Sequence, residues 1–403
     1  MLDIATDPSL TVDERLEKII EQLRSLPDRG VAKALQFILT TDSAAAATYP
    51  ANYLALLPDL LKEKCQAVEH IRKKKNLMIA AVNLIKEMPT DVIDRLITDY
   101  FENPSAEGMY SIIFEIATHF PSRLHKFAKR IEDKSILQAI RPGGPDTWVD
   151  EMVESYLRGA DPAILKELSK FHTDKALEAL LNLNSRIPDK DHEDFYMYIE
   201  NSGVFPETRK ASVHFKTYRG IVVQRDRSSH HMGGSFPFGV PKCPICEKTA
   251  NHILTLNATE LNFDLESGHN PSFFWFQCPH PAEFLFVHFK DDGIECLMDP
   301  MTDGDVGTDL IPGDLALLLV EHPNQFGRGL EAIPGFANHQ VGGYPPWVRL
   351  ERFPRCPLCQ KGMRFLASID SGITPLGYLA FEGILYGFWC DTCAVSATRC
   401  QND

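Results

Sequence analysis

Two C-x-x-C pairs near the C-terminus constrain the fold of this chain more than any other feature. The pairs consist of Cys356, Cys359, Cys390 and Cys393, and we call them the four-cysteine group. The first pair forms a C-P-x-C turn, which directs two sulfur atoms toward one point, and the second pair follows after 30 residues. A redox C-x-x-C motif needs only one reactive pair beside a βαβ unit, whereas two facing pairs are typical of a structural zinc site. We therefore expect zinc at this group.

The C-terminal half contains a similar segment twice. One copy begins at His230 with H-H-M-G-G-S-F-P and continues to C-P-I-C-E-K, and the other begins at His339 with H-Q-V-G-G-Y-P-P-W-V and continues to C-P-L-C-Q-K. After the C-P-x-C turns, the two copies align without a gap from His252 to Asn257. Because chance rarely matches glycines, cysteines and spacings together, the sequence predicts two repeats, at about residues 229–290 and 338–400.

The first copy contains a less complete set of metal ligands. Its C-P-x-C turn supplies Cys243 and Cys246, and Cys278 follows after 31 residues, but P-H-P then stands in place of a second cysteine. His280 is positioned to be the fourth ligand, which would give a zinc site of three cysteines and one histidine. The alternatives are that Cys296 completes the site, or that this copy has lost its metal and kept its fold.

The chain changes character in the middle. Residues 10 to about 201 show the apolar spacing of amphipathic helices, beginning with a capping-box pattern at Thr11 and Glu14. Later residues form short extended runs between loops rich in proline and glycine. We therefore expect an α+β protein with two domains. An all-α multi-helix domain, solenoid-like or a bundle, spans residues 1–204, and a β-rich, duplicated, zinc-ribbon-like domain spans residues 205–403.

The net charge of −14 limits the classes of partner. Nucleic-acid binding needs a concentrated basic surface, and the R-K-K-K run at residues 72–75 is typical of a solvated helix face. Residues 230–403 contain 20 acidic and only 10 basic residues, which suits a basic protein partner. The N-terminus lacks a signal-peptide pattern, and no apolar run reaches the roughly 20 residues of a membrane helix. We expect a cytoplasmic protein that binds neither nucleic acid nor membrane.

Residues near the two glycine pairs are weaker candidates for a binding site. His230 and His339 occupy matching positions, His231 follows the first of them, and Trp347 follows the second glycine pair. The simpler interpretation of the matching histidines is that each ring hydrogen-bonds the Gly-Gly turn, and ligand recognition is the alternative. A zinc ion held by four cysteines has no open position for a substrate, and the chain has no Walker, G-x-S-x-G or H-E-x-x-H motif. We therefore predict no catalytic residues.

The stretch from Gly342 to Cys393 resembles the YwqG-like family of bacterial domains. The matching segments are G-G-Y-P-P-W-V, R-F-L-A-S-I-D and L-Y-G-F-W-C-D-T-C, although Ser368 stands where that family usually has glutamine. The duplicated cysteine-rich module is more distantly similar to the programmed cell death protein 2 family, which chaperones a ribosomal protein.

The YwqG-like resemblance implies an intracellular immunity protein that neutralises a toxin by binding it. This non-enzymatic function is our leading expectation. A chaperone for a basic ribosomal protein is one alternative. An enzyme whose site lies between the two repeats, and which uses His230, His231 or His339, is the other.

Overall fold

The computed structural model describes most of the chain in two compact units. The described residues are 1–26, 29–159, 161–188, 191–214, 216–263, 265, 267–276, 283–297, 311, 313–327 and 337–402. The first unit ends at Gly144, and the second begins at Pro145 and contains the described residues that follow.

The described part of the first unit is helical. Its α-helices are α1 (Leu2–Ala5), α2 (Val12–Arg24), α3 (Gly30–Thr40), α4 (Ala44–Leu56), α5 (Leu61–Lys73), α6 (Thr90–Glu102), α7 (Met109–His119), α8 (Pro121–Leu124) and α9 (Lys134–Ala139), and 3-10 helices span Lys75–Glu87 and His125–Arg130. The predicted capping box opens α2, where Thr11 N donates to Glu14 Oε2 and Glu14 N donates to Thr11 Oγ1. Along α2, Leu16, Ile19 and Leu23 are at most 4% exposed, as the helical spacing predicts.

The described part of the second unit combines four α-helices with one antiparallel sheet. The helices are α10 (Asp146–Gly159), α11 (Pro162–Ser169), α12 (Asp174–Leu183) and α13 (His192–Asn201). Short 3-10 turns span Asn184–Arg186, between α12 and α13, and Arg225–Arg227, after the first strand. The strands are β1 (Tyr218–Gln224), β2 (His231–Gly233), β3 (Asn251–Thr255), β4 (Ser272–Trp275), β5 (Leu285–Lys290), β6 (Gly293–Cys296), β7 (Asp314–Glu321), β8 (His339–Val341), β9 (Arg364–Thr374), β10 (Gly377–Cys390) and β11 (Val395–Gln401). The α+β fold class is therefore confirmed.

The strand order within the described residues is β4-β3-β2-β7-β1-β8-β9-β10-β11-β5-β6. The burial of a strand depends on its position in the sheet. β9, in the interior, is largely buried on both faces, whereas β5, near one end, alternates buried and half-buried residues. The core of the sheet is rich in aromatic residues, among them Phe274, Trp389 and Phe388.

The two copies occupy equivalent places in this sheet. β2 pairs with β3 in the first copy, with His231 opposite Thr255, and β8 pairs with β9 in the second, with Gln340 opposite Ser368. The pairs match in the sequence alignment of the copies as well. The structure therefore shows that the internal duplication predicted from sequence is also a duplication of strand register.

The two copies also exchange a strand. β1 precedes the first copy in sequence but pairs with β8 of the second, and β7 precedes the second copy but pairs with β2 of the first. β1 and β7 pair with each other at the centre, where Ile221 lies opposite Leu318. This arrangement has an approximate twofold symmetry about that central residue pair. We refer to it as the strand exchange.

The boundary of the compact units differs from the predicted boundary at residue 204. Helix gives way to strand between α13 and β1, but α10–α13 belong to the same compact unit as the sheet. Glu200 of α13 explains part of this, because its fully buried carboxylate accepts hydrogen bonds from Arg352 and Arg355 beside the four-cysteine group. Apolar periodicity predicts the type of each element but does not show which core the element packs against.

Candidate metal centre

The C-P-x-C turn of the second copy is held by its own backbone. Cys356 N donates to Lys361 O at 2.9 Å, Gln360 N donates to Cys356 O at 2.8 Å, and a β-bridge joins Arg355 to Gly362. Gln360 takes a left-handed conformation with φ of 59°, which allows a tight reversal of the chain. The turn therefore places Cys356 and Cys359 on the same side of a rigid loop.

The second cysteine pair stands at the end of β10. Cys390 is the last residue of the strand and is paired with Val395 of β11, and Cys393 lies in the turn between these strands. Ala394 closes that turn with φ of 49°. The pairing of β10 with β9 brings this turn to the C-P-x-C turn, because β9 begins directly after that turn.

The four sulfur atoms form one cluster. They all lie within 4.8 Å of one another, and the Sγ atoms of Cys359 and Cys390 are 3.6 Å apart. Tetrahedral zinc, with Zn–S bonds of about 2.3 Å, would place its sulfur ligands about 3.8 Å apart. The structure therefore brings the four-cysteine group together as predicted, at separations that fit a metal ion. Among the residues described, this is the one cluster of three or more histidine, cysteine or acidic side chains suited to a metal.

Electrostatics in the cluster favour a bound cation. Hydrogen bonding with Cys390 lowers the pKa of the Cys356 thiol to about 5, and the same interaction and burial raise the pKa of Cys390. Burial also raises the pKa of Cys393, to about 11. One thiolate is thus favoured while its neighbours retain their protons, because several negative charges cannot share so small a volume without a compensating positive charge.

Aromatic side chains pack around the four-cysteine group and bury part of it. Cys356 is fully buried and Cys390 is 4% exposed, and both belong to a core with Phe353, Phe365 and Phe388. A metal ion held by all four sulfur atoms would have no free position for a substrate. The arrangement therefore suits structural stabilisation rather than catalysis.

Sequence reasoning missed the polar network that supports this cluster. The Glu200 carboxylate accepts from Arg352 Nε and Nη2, both at 2.8 Å, from Arg355 Nη2 at 2.6 Å and from Phe353 N at 3.1 Å. Arg355 immediately precedes Cys356, so this network connects α13 to the C-P-x-C turn. The arginines flanking F-P in the sequence were the available signal, but their acidic partner lies about 150 residues earlier in the chain.

The first copy reproduces the C-P-x-C turn in detail. Cys243 N donates to Lys248 O and Glu247 N donates to Cys243 O, both at 2.9 Å, and Glu247 has φ of 58°. Cys243 is buried and Cys246 is half-buried. The other two predicted ligands, Cys278 and His280, lie outside the described residues. Cys296, the alternative ligand, is half-buried in β6, opposite Val287.

The matching histidines make matching hydrogen bonds. His230 Nδ1 accepts from Asn257 N at 3.0 Å, and His339 Nδ1 accepts from Asp370 N at 3.2 Å. The partners therefore lie just after β3 and within β9. The simpler interpretation predicts a partner in the Gly-Gly turn instead. In the first copy that turn is bonded by a different histidine, since Gly233 O accepts from His252 Nδ1 at 2.7 Å.

The remaining predicted candidates also have structural contacts. His231 Nδ1 accepts from Arg225 Nη2 at 2.7 Å. Trp347 donates from Nε1 to Asn201 Oδ1 at 2.5 Å and stacks against Phe388. Each of these side chains therefore has a clear role in holding the second unit together.

The recurrent glycine pairs are explained by close backbone approach. Gly342 has φ of 70°, and a Cβ atom there would lie 1.9 Å from Lys216 O. No other residue fits at this position unless the loop before β1 moves. Strand β1 is itself part of the strand exchange.

The fold and the cluster define an α+β protein with a four-thiol centre in a duplicated antiparallel sheet. No protein-family model matches the chain. It is similar to the uncharacterized protein YpfL of Salmonella typhimurium, with 43% identity over 63 residues. That match covers 15% of this chain and 14% of the relative. No solved structure matches the chain. A search of the described helices found none with the length and apolar character to cross a bilayer.

Proposed function

We propose that this chain is a non-enzymatic, zinc-stabilised binding protein whose partner is a basic protein. The observation that carries the proposal is the closed cluster of four sulfur atoms, which suits a metal that holds the sheet in shape. Zinc is the metal we propose, because thiolate ligands in tetrahedral arrangement favour it and it has no redox chemistry. When bound, it would offset part of the negative charge of the thiolates and hold the ends of β9 and β10 together.

The charge of the C-terminal half supports a basic partner. At least four of its ten basic residues are engaged in ion pairs, namely Lys290, Arg352, Arg355 and Arg399. Glu260, Glu283 and Asp314 are each more than half exposed, although each also has a basic side chain within 4.0 Å. The excess of 20 acidic over 10 basic residues in this half would attract a positively charged protein.

The leading form of the proposal is an intracellular immunity protein that neutralises a toxin by direct binding, as the YwqG-like resemblance implies. A ribosomal-protein chaperone is the alternative. The test is co-purification of the tagged full chain from its native host, with identification of the bound proteins. Recovery of a secreted toxin, and loss of its toxicity when both are co-expressed, would support the first form. Recovery of a basic ribosomal protein would support the second, and recovery of neither would contradict both.

We also propose a second zinc ion in the first copy. The matched C-P-x-C turns support it, because the turn at Cys243 and Cys246 has the same hydrogen bonds as the turn at Cys356 and Cys359. Cys278 and His280 would complete the site. Elemental analysis should then give two zinc ions per chain, falling to one in Cys243→Ser. A value of one in the unaltered chain would show that only one copy is loaded, and zero would remove the zinc proposal.

A further inference from the structure

The second unit contains a cavity that none of the sequence motifs predicted. Its volume is about 260 Å³, and it lies where the start of α12 faces the chain after α13 and the loop after β7. Its wall includes His172, Asp174, Phe326 and Tyr344. Drug-sized ligands occupy pockets of roughly 300–1,000 Å³, so this cavity suits a smaller group.

Three aromatic rings form part of the cavity wall. The His172 ring stacks on Tyr344 with centroids 3.6 Å apart, and Phe326 lies 6.1 Å from His172 and 6.4 Å from Tyr344. His172 reaches this position with φ of 54°, a left-handed conformation that is uncommon for a residue other than glycine.

The imidazole of His172 is neutral. Burial lowers the pKa of His172 to about 3, and the ring also hydrogen-bonds the backbone of Asn201. Its Nδ1 atom is buried and has no hydrogen-bond partner among the described residues. The neutral ring therefore adds no positive charge to the cavity.

The charge of the cavity is negative. Asp174 is an exposed residue of the cavity wall. Burial raises the pKa of the Tyr344 hydroxyl, and the negative charge of Asp174 raises it further. Among the described residues that line the cavity there is no lysine or arginine. The partial positive charge at the start of α12 is smaller than the full charge of Asp174, and the Thr173 side chain already caps that helix.

We propose that this cavity binds an organic cation, namely the ammonium or guanidinium group of a small amine or of a lysine or arginine side chain. Aromatic faces beside a carboxylate attract such groups by cation–π and Coulomb interactions together. An anion would find no positive side chain among the described lining residues. The inference does not depend on the proposed protein partner, because a free amine would satisfy the same site.

The test is isothermal titration calorimetry on the full chain with two sets of cations. The free amines are putrescine and spermidine, and the side-chain analogues are Nα-acetyl-lysine methylamide and Nα-acetyl-arginine methylamide. Nα-acetyl-norleucine methylamide is the neutral control. We expect at least one cation to bind and the neutral analogue to bind at least about tenfold more weakly. Preference for the free amines or for the analogues distinguishes the two sources.

Variants locate the binding. Asp174→Asn keeps the shape of the side chain and should weaken binding about tenfold, whereas Asp292→Asn, an exposed carboxylate in the β5–β6 turn, should leave it unchanged. Tyr344→Phe keeps the ring and should change affinity less than Asp174→Asn. Equal weakening by the two aspartate variants, equal binding of the neutral analogue, or no cation binding at millimolar concentration would each overturn the proposal. Circular dichroism of each variant separates these results from loss of the fold.

Discussion

Replacing Glu200 by glutamine tests whether the buried carboxylate joins the helices of the second unit to its sheet. The carboxylate is fully buried and accepts four hydrogen bonds, from Arg352 (twice), Arg355 and Phe353 N. The amide of glutamine has one acceptor oxygen, so about two of these donors would face an NH₂ group instead. Each lost bond to a charged group costs about 1.5–3 kcal/mol.

The two arginines reduce that cost because they are partly hydrated. Their side chains are 30% and 28% exposed, so water can take over some of the lost bonds. Two bonds would cost about 3–6 kcal/mol in a dry site, and halving this for solvent gives about 1.5–3 kcal/mol for Glu200→Gln. The matched control is Glu207→Gln, because Glu207 also pairs with Arg355 but is 50% exposed, and it should cost at most about 1 kcal/mol.

Urea unfolding followed by tryptophan fluorescence measures this difference in the intact chain. The four tryptophans are Trp148, Trp275, Trp347 and Trp389, and all of them lie in the second unit, so the signal reports that unit. The free energy of unfolding should fall in Glu200→Gln by clearly more than in Glu207→Gln. A loss below about 0.5 kcal/mol, or equal losses in the two variants, would refute the reasoning.

Three further predictions follow from the same unit. Cys393→Ser should remove one metal ion per chain in elemental analysis and lower the urea midpoint, whereas Cys65→Ser in the first unit should leave the metal content unchanged. Burial lowers the pKa of His252 to about 4 from an ordinary value near 6.5. The neutral His252 ring therefore contributes to the free energy of unfolding above about pH 6.5, and up to about 3 kcal/mol of this is lost as pH falls toward 4. His252→Gln should flatten this part of the pH–stability curve. Gly342→Ala should prevent folding, judged by soluble yield, whereas Gly239→Ala, also at positive φ but with open space around it, should cost only about 1 kcal/mol.

The sequence predicted the features whose causes are local. A C-P-x-C turn fixes its own hydrogen bonds within six residues, so the cysteines revealed both the turn and the clustering of their sulfur atoms. The capping box at Thr11 and Glu14 was predictable for the same reason. The duplication was also visible in the sequence, and the structure adds that β2–β3 and β8–β9 share one register.

Features that depend on distant pairing could not be predicted in this way. Nothing near Glu200 indicates that Arg352 will meet it, and nothing near β1 indicates that β8 will be its neighbour. The same limit explains why the predicted boundary at residue 204 follows the change of secondary structure, while the compact units divide after Gly144. Pairing partners are set by the whole core, which a pattern within one segment does not contain.

The strand exchange makes the two copies interdependent during synthesis. When the ribosome has completed the first copy, at about residue 290, the edge of β2 is still unpaired, because β7 begins only at Asp314. An unpaired edge of this kind is a template for pairing with other chains. The arrangement also matches a strand-exchanged homodimer whose two subunits have been fused, since the pairing of β1 with β7 is self-complementary about Ile221 and Leu318. A chain carrying a single copy would therefore have to find its missing strand in a second molecule.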